Sequence, residues 1–245
     1  MKRLIFVLLT AWLLASPVAA QEKVLLAAED DWYPYSAKNG AVAEGRSVDI
    51  VTAAYAAVGA ELTLDVVPFN RGMIMTKAGK YAGVFNAGLN DDVRRDFLVP
   101  RNFVAVSEQV TVARIGEPFQ DKRSFNGKRL VITLGYTYPA DIVSDPRNQI
   151  QRSVADVNNM KMLAADRADF TIVDRLVALS ILAKDPALKQ KLQIVGKLHS
   201  ENIYVLFNKR DGGPKALELF DQGMDKIHSN GVLKAITTRW EAKLH

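Results

Sequence analysis

Residues 165–183 read ADRADFTIVDRLVALSILA, and the change of rhythm inside this stretch decides the fold class. Asp169 to Val173 is a short apolar run of the kind a buried strand uses, and Arg175 to Ala183 is apolar at helical spacing. A strand passing straight into a helix is the building unit of α/β proteins. Upstream, Leu130 to Leu134 predicts a strand ending at Gly135, and Val157, Met160, Leu163 and Ala164 predict a helix. Ser153 with Asp156 resembles a capping box in front of that helix, with Asp where Glu or Gln is usual. Downstream, Leu192 to Val195 and Ile203 to Phe207 predict two strands. Pro214 opens a helix that buries Leu217, Phe220, Met224 and Ile227. Asn230-Gly231 then breaks the chain before a last helix carrying Leu233, Ile236 and Trp240.

An earlier series has the same form. Val24 to Ala28 predicts a strand. From Asp49 the apolar positions Val51, Ala54, Tyr55 and Val58 fall at helical spacing up to Gly59. Leu62, Leu64 and Val66 alternate as a strand ending at Pro68. Met73 to Ala78 reads as a helix, and Tyr81 to Ala87 and Val104 to Ala113 as strands. Two such series predict an α/β protein of two lobes with largely parallel sheets.

Residues 1–20 read as a cleavable secretory signal: Lys2 and Arg3, an apolar stretch from Leu4 to Leu14, then Val18-Ala19-Ala20 before Gln21. The alternative, a membrane anchor, needs ~20 apolar residues, and Pro17 interrupts the run before that. The chain has no cysteine. This excludes disulfides, thiolate metal sites and a cysteine nucleophile, and it removes the acceptor for a lipid anchor. The expectation is a protein diffusing freely in a Gram-negative periplasm.

The formal charge of +5 falls by two when Lys2 and Arg3 leave with the signal. No basic run interleaved with aromatics points to nucleic acid, so no such partner is expected. The sequence lacks H-E-x-x-H, G-x-S-x-G, a P-loop and G-x-G-x-x-G. His199, His228 and His245 have no metal-ligand spacing. Neither metal nor cofactor is expected.

Several ordered blocks run through nearly all of the chain after the signal: Trp32-Tyr33-Pro34-Tyr35, Gly45-Arg46-Ser47-Val48-Asp49-Ile50, Gly79-Lys80-Tyr81-Ala82-Gly83, Asp92-Val93-Arg94-Arg95-Asp96-Phe97, Phe125-Asn126-Gly127-Lys128-Arg129-Leu130 and Ala165 to Asp174. In this order the chain resembles the family-3 extracellular solute-binding proteins, the periplasmic amino-acid-binding type. The resemblance implies a two-lobed periplasmic binding protein-like (type II) α/β fold with two crossing segments, at Val110–Arg114 and Ile203–Asn208. Lobe 1 would hold residues 21–112 and 207–245, and lobe 2 residues 113–206. One ligand would lie in the cleft, a hinge would close on it, and a membrane ABC permease would receive it from a monomer that catalyses nothing. Two alternatives stay open. One is a periplasmic enzyme of the same fold, cyclohexadienyl dehydratase-like, with Glu44 and Glu108 as the acids to inspect. The other is a sensory module docking on a membrane receptor.

The resemblance also implies site residues. Arg94 occupies the place of the family's carboxylate-clamping arginine, a task suited to a planar guanidinium; its ordinary alternative is a solvated charge beside Asp91, Asp92 and Asp96. Asp174 matches the acid that meets a ligand ammonium, and equally suits a helix N-cap. Thr137 matches a turn hydroxyl at a helix start. Trp32 and Tyr35 would wall the cleft, and Arg71 resembles an arginine used in some branches. Asn86, Ala87 and Leu89 replace a hydroxyl-rich stretch, and Tyr136 replaces a small hydroxyl residue, so Asn86 and Tyr136 join the candidate ligand contacts. The ligand expected is a small carboxylate-bearing solute, an amino acid first of all.

Overall fold

A computed structural model describes residues 21–210 and 212–244, so the signal reading at 1–20 lies outside the described residues. The chain starts with strand β1 (Lys23–Glu29), followed by a small antiparallel sheet of β2 (Asp31–Trp32), β3 (Ser36–Asn39) and β4 (Val42–Glu44). Helix α1 (Arg46–Ala57), β5 (Glu61–Val67), α2 (Phe69–Lys77), β6 (Gly83–Ala87) and α3 (Asp91–Asp96) complete the first series. The second runs through β7 (Ala105–Arg114), β8 (Arg129–Thr133), α4 (Ala140–Val143), β9 (Gln149–Ser153), α5 (Asp156–Ala164), β10 (Phe170–Asp174), α6 (Arg175–Lys184) and α7 (Pro186–Lys189). Strand β11 (Leu192–Phe207) returns the chain to α8 (Gly213–Ser229) and α9 (Val232–Leu244). Among the described residues no helix is long and apolar enough to cross a membrane.

The strands order as β5-β1-β6-β11-β7-β10-β8-β9. Within each lobe the ladders are parallel, as the alternation predicts: β1 with β5 and β6, and β8 with β9 and β10. The ladders made by the crossing strands are antiparallel, because β7 carries the chain out to the second lobe and β11 carries it back. The two strands predicted at Leu192–Val195 and Ile203–Phe207 are one strand of 16 residues. It pairs with β7 as far as Ile203 and with β6 from Tyr204 onward. At the junction Ser200 to Ile203 lie beside Ala105 to Glu108. The crossing expected at Val110–Arg114 is therefore displaced, for Val110 to Ala113 already pair with β10 inside the second lobe.

Local chemistry explains other shifts. Gly45 has φ 142° and sits against the Tyr35 backbone where a side chain would collide, so α1 starts at Arg46 rather than Asp49. Pro68 fits the N-cap of α2, which begins at Phe69, four residues before the periodicity signals it. The capping box does not form. Ser153 ends β9 and donates to Asn159 Oδ1 at 2.5 Å, while Ala155 holds the N-cap of α5 without a side-chain bond.

The C-terminal helices close the first lobe. Gly223 of α8 lies against the Ala54 carbonyl of α1, an approach only glycine permits. Phe220 is fully buried between Tyr55 and Phe207, with ring centroids 6.2 and 5.8 Å away. Such burial contributes roughly 1.5–3 kcal/mol. Trp240 Nε1 donates to Asp49 Oδ2 at 2.6 Å and fixes α9 on α1. In the second lobe, Asp169 accepts from Arg114 and Arg129, which hold its carboxyl well below the usual range.

Candidate functional site

The ends of several strands meet where the lobes face each other. From the first lobe come Trp32 of β2, Phe69 at the start of α2, Asn86 of β6 and Gly88 after it. The second lobe supplies Tyr136, Thr137 and Tyr138 after β8, and Asp174 at the end of β10. Ser107 and Gln109 of β7, with Glu201 and Ile203 of β11, form the floor where the crossing strands run. Together they enclose about 30 Å³, room for one or two waters. Gly135, with φ 87°, turns the chain after β8 so tightly against Asn70 that a Cβ there would lie 2.9 Å from Asn70 Oδ1.

Asp174 is 4% exposed and saturated with donors. Oδ1 accepts from the Leu176 and Val177 amides at 2.8 and 3.1 Å, the N-cap of α6. Oδ2 accepts from Ser107 Oγ at 2.8 Å, the Glu108 amide at 3.2 Å and the Tyr35 hydroxyl at 3.2 Å. A carboxylate offers about four lone-pair directions, so five donors leave Asp174 to act on a solute through its charge. Burial raises its pKa, and the bonds from Ser107, Val177, Leu176 and Tyr35 oppose that rise.

Three further acids stand near the cavity. Glu29 is 3% exposed, and its carboxylate accepts from the Tyr136 hydroxyl across the cleft. Burial drives the Glu29 pKa well up, and the Tyr136 bond opposes it. Asp156 accepts from Thr133 Oγ1 at 2.5 Å and is pushed up to about 7 by burial. Glu201 is likewise pushed up to about 7 by burial, against the bond at 2.6 Å from Gln109 Nε2 to its Oε1.

Five of the eight predicted residues come together at the cavity: Trp32, Asn86, Tyr136, Thr137 and Asp174. Tyr35 stands one layer behind, stacked on Trp32 at 4.3 Å with its hydroxyl on Asp174. Arg94 is not brought there. It is exposed on α3, away from the cavity lining, which agrees with the solvated alternative beside its acidic neighbours. Arg71 is also exposed, on a surface groove with Ile74 and Leu134. Thr137 does not start a helix, since α4 begins only at Ala140; its carbonyl accepts from Gln109 Nε2 at 2.9 Å. Of the acids singled out for an enzyme, Glu44 bonds Asn39, and Glu108 pairs with Lys197; neither lines the cavity.

Sequence reasoning missed Glu29, Ser107, Gln109 and Glu201. A signal existed for three of them. Ser107, Gln109 and Thr111 alternate with Val106, Glu108, Val110 and Val112, the period of a strand with one polar face. Glu201 sits in the polar run His199 to Asn202 that made β11 look like two strands. Among the described residues no three His, Cys, Asp or Glu are grouped to hold a metal ion.

The family model for bacterial extracellular solute-binding proteins, family 3, matches residues 24–243. The chain belongs to this family. Family 3 thus accounts for the described structure from β1 to α9. Among curated proteins none matches the chain by sequence. Solved structures agree on the fold. A histidine kinase sensor domain with similarity to periplasmic binding proteins superposes with TM-score 0.80 at 15% identity, over 90% of this chain and 96% of its own. An ancestral arginine-binding protein bound to arginine gives 0.79 at 17% identity, covering 90% and 98%. The arginine-, lysine-, histidine-binding protein ArtJ from Geobacillus stearothermophilus gives 0.78 at 17% identity, covering 89% and 95%. At these identities the likeness to the solved structures is one of fold.

Proposed function

We propose that this family-3 protein works in the periplasm and binds a small, positively charged solute in the interlobe cleft, basic amino acids foremost, for delivery to an ABC permease. The lining carries the reading. Asp174 and Glu201 face the cavity from two elements, Glu29 backs Tyr136, and no lysine or arginine is among the described residues that line it. Buried carboxyl groups whose ionisation is disfavoured gain most from a cation beside them. The proteins named for arginine, lysine and histidine among the solved neighbours support the same class. If the solute is an amino acid, its carboxylate meets the free Asn86 Nδ2 and the Thr137 hydroxyl in place of the expected Arg94.

A cavity of about 30 Å³ is too small for an amino acid. In this reading the lobes part to admit the solute and close on it by a hinge at the crossing strands. The protein acts as a monomer and catalyses nothing.

Thermal-shift measurements test the class, since a ligand held only by the folded state raises stability. L-Arginine, L-lysine, L-histidine and putrescine are expected to raise Tm, and succinate and L-glutamate to leave it unchanged. The opposite pattern would overturn the reading. The sensor-domain neighbour favours a second use of the same cleft, signalling through a membrane receptor. Uptake of the bound solute into cells lacking the protein separates the two: a transport protein's loss abolishes uptake, a sensor's does not.

A further inference from the structure

The floor of the cleft holds polar atoms for which the protein itself supplies no partner. Asn86 is 6% exposed, and neither its Oδ1 nor its Nδ2 has a hydrogen bond. It also stands at φ 76°, a left-handed backbone that asparagine tolerates better than most residues. Gln109 is 6% exposed, and its Oε1 is equally without a partner. Its Nε2 is not free: it donates to Thr137 O and Glu201 Oε1, at 2.9 and 2.6 Å. Those two bonds fix which way the amide faces and leave Oε1 as the unused end. Glu201 completes the group. Its Oε1 takes the Gln109 bond, and among the described residues no donor reaches its Oε2. That Oε2 lies so close to Gly88 that a Cβ there would come within 2.5 Å of it.

Trp32 Nε1 is left the same way, and burying polar atoms without a hydrogen bond is costly, so three such side chains around one small cavity point to a missing partner. Three of the unused atoms are acceptors, Asn86 Oδ1, Gln109 Oε1 and Glu201 Oε2, beside the donors Asn86 Nδ2 and Trp32 Nε1. Three acceptors, one of them on a carboxyl group, match the three donors and single charge of a primary ammonium. The enclosed volume of about 30 Å³ suits such a head group where it would not suit a whole amino acid. Gln109 and Glu201 belong to β7 and β11, so the subsite is built on the crossing strands and keeps its floor when the lobes part.

We propose that Glu201, Gln109 and Asn86 form a subsite for the primary ammonium group of the solute, with Glu201 as its counter-charge. The inference rests on the cationic-solute reading above and narrows it. Asp174, saturated by five donors, then contributes field and scaffold, and Glu201 makes the contact.

Isothermal titration tests the subsite with methylammonium, putrescine, L-lysine and L-arginine as probes and tetramethylammonium as a cation without N–H donors. The wild-type protein is expected to bind at least one of these four primary-ammonium probes and not tetramethylammonium. Glu201→Gln retains the shape and a bond to Gln109 but lacks the charge, and should weaken that probe at least about tenfold. Asn86→Gly suits the positive φ, so the chain still folds, and should weaken it by about threefold or more; it keeps the test decisive if the Glu201 variant misfolds. Unchanged affinity in both variants overturns the subsite while leaving the cationic reading standing. Binding of tetramethylammonium as tightly as the best primary-ammonium probe does the same. Binding of none of the four overturns both.

Discussion

The Tyr136 hydroxyl donates to the Glu29 carboxylate from the opposite side of the cleft. The same ring packs edge-on against Phe69 at 5.2 Å and Trp32 at 6.3 Å, both from the first lobe. One side chain of the second lobe thus fills the first lobe's half of the cleft. The resemblance puts Tyr136 in the place of a small hydroxyl residue and among the candidate ligand contacts; the structure adds a buried acid as its anchor.

Removing that anchor has two separable effects. Tyr136→Phe keeps the ring and leaves Glu29 without its donor, a loss of about 1–3 kcal/mol. For a chain of this size that lowers Tm by several degrees, at about 2–4 °C per kcal/mol. Tyr136→Ala removes the cross-cleft packing too and should raise the solute-free radius of gyration in small-angle X-ray scattering. An unchanged radius would mean that other contacts hold the lobes together.

Acid conditions should stabilise this protein. The folded-state pKa of Asp156 is about 7, against an ordinary 3.8, and that of Glu201 about 7 against 4.5, with burial the leading cause in both; Glu29 shifts in the same direction. Between pH about 4 and 7 the folded chain therefore binds protons that the unfolded chain has released, and stability falls as pH rises through that window. Below it the sign reverses, as Asp169, held low by Arg129, loses its pairing. Thermal melts should peak near pH 4–5. Asp156→Asn should raise Tm at pH 8 and flatten the slope, on the order of a few kcal/mol; an unaltered slope would show that Asp156 ionises in the fold without hindrance.

Gly223→Ala should destabilise the first lobe. The added Cβ meets the Ala54 carbonyl, part of helix backbone that cannot rotate away. Overpacking of this kind costs about 1–3 kcal/mol or more. A lowered urea midpoint with an unchanged m-value is the expected result.

Arg94→Ala distinguishes the resemblance-based carboxylate clamp from the placement seen here. With Arg94 exposed on α3, affinity for the best ligand should change less than about twofold, within what screening leaves of a distant charge. A tenfold loss would place the guanidinium in the ligand-bound cleft.

The lobes were legible because strand and helix periodicities differ, and β1, α1, β10 and α6 fall close to where the apolar patterns put them. The small sheet of β2 to β4 was not, because strands of two to four residues are too short to establish a period. Of the residues that line the cavity, Trp32 and Asp174 stand in the ordered blocks, and Asn86 in the stretch that replaces the hydroxyl-rich one. Glu201 and Gln109 were missed because polar residues inside a strand look like an interruption, unless the strand is known to cross a cleft. Arg94 stands exposed on α3 for a different reason: a matching position in a motif fixes the backbone element, whereas the exposure of a side chain depends on the turn of its helix.

The unbroken 16 residues of β11 give the cleft a mechanical character as well as a chemical one. If the lobes close about the crossing strands, as proposed, Glu201 rides close to the fulcrum, and contacts such as Lys184 Nζ, 4.3 Å over the Tyr33 ring, join the lobes farther out. A force applied near a pivot has a short arm, so a small twist there becomes a wide excursion at the rim. The solute would then be weighed at the axle and announced at the edge. An outside partner would need to gauge only the amplitude of that swing, without touching what caused it.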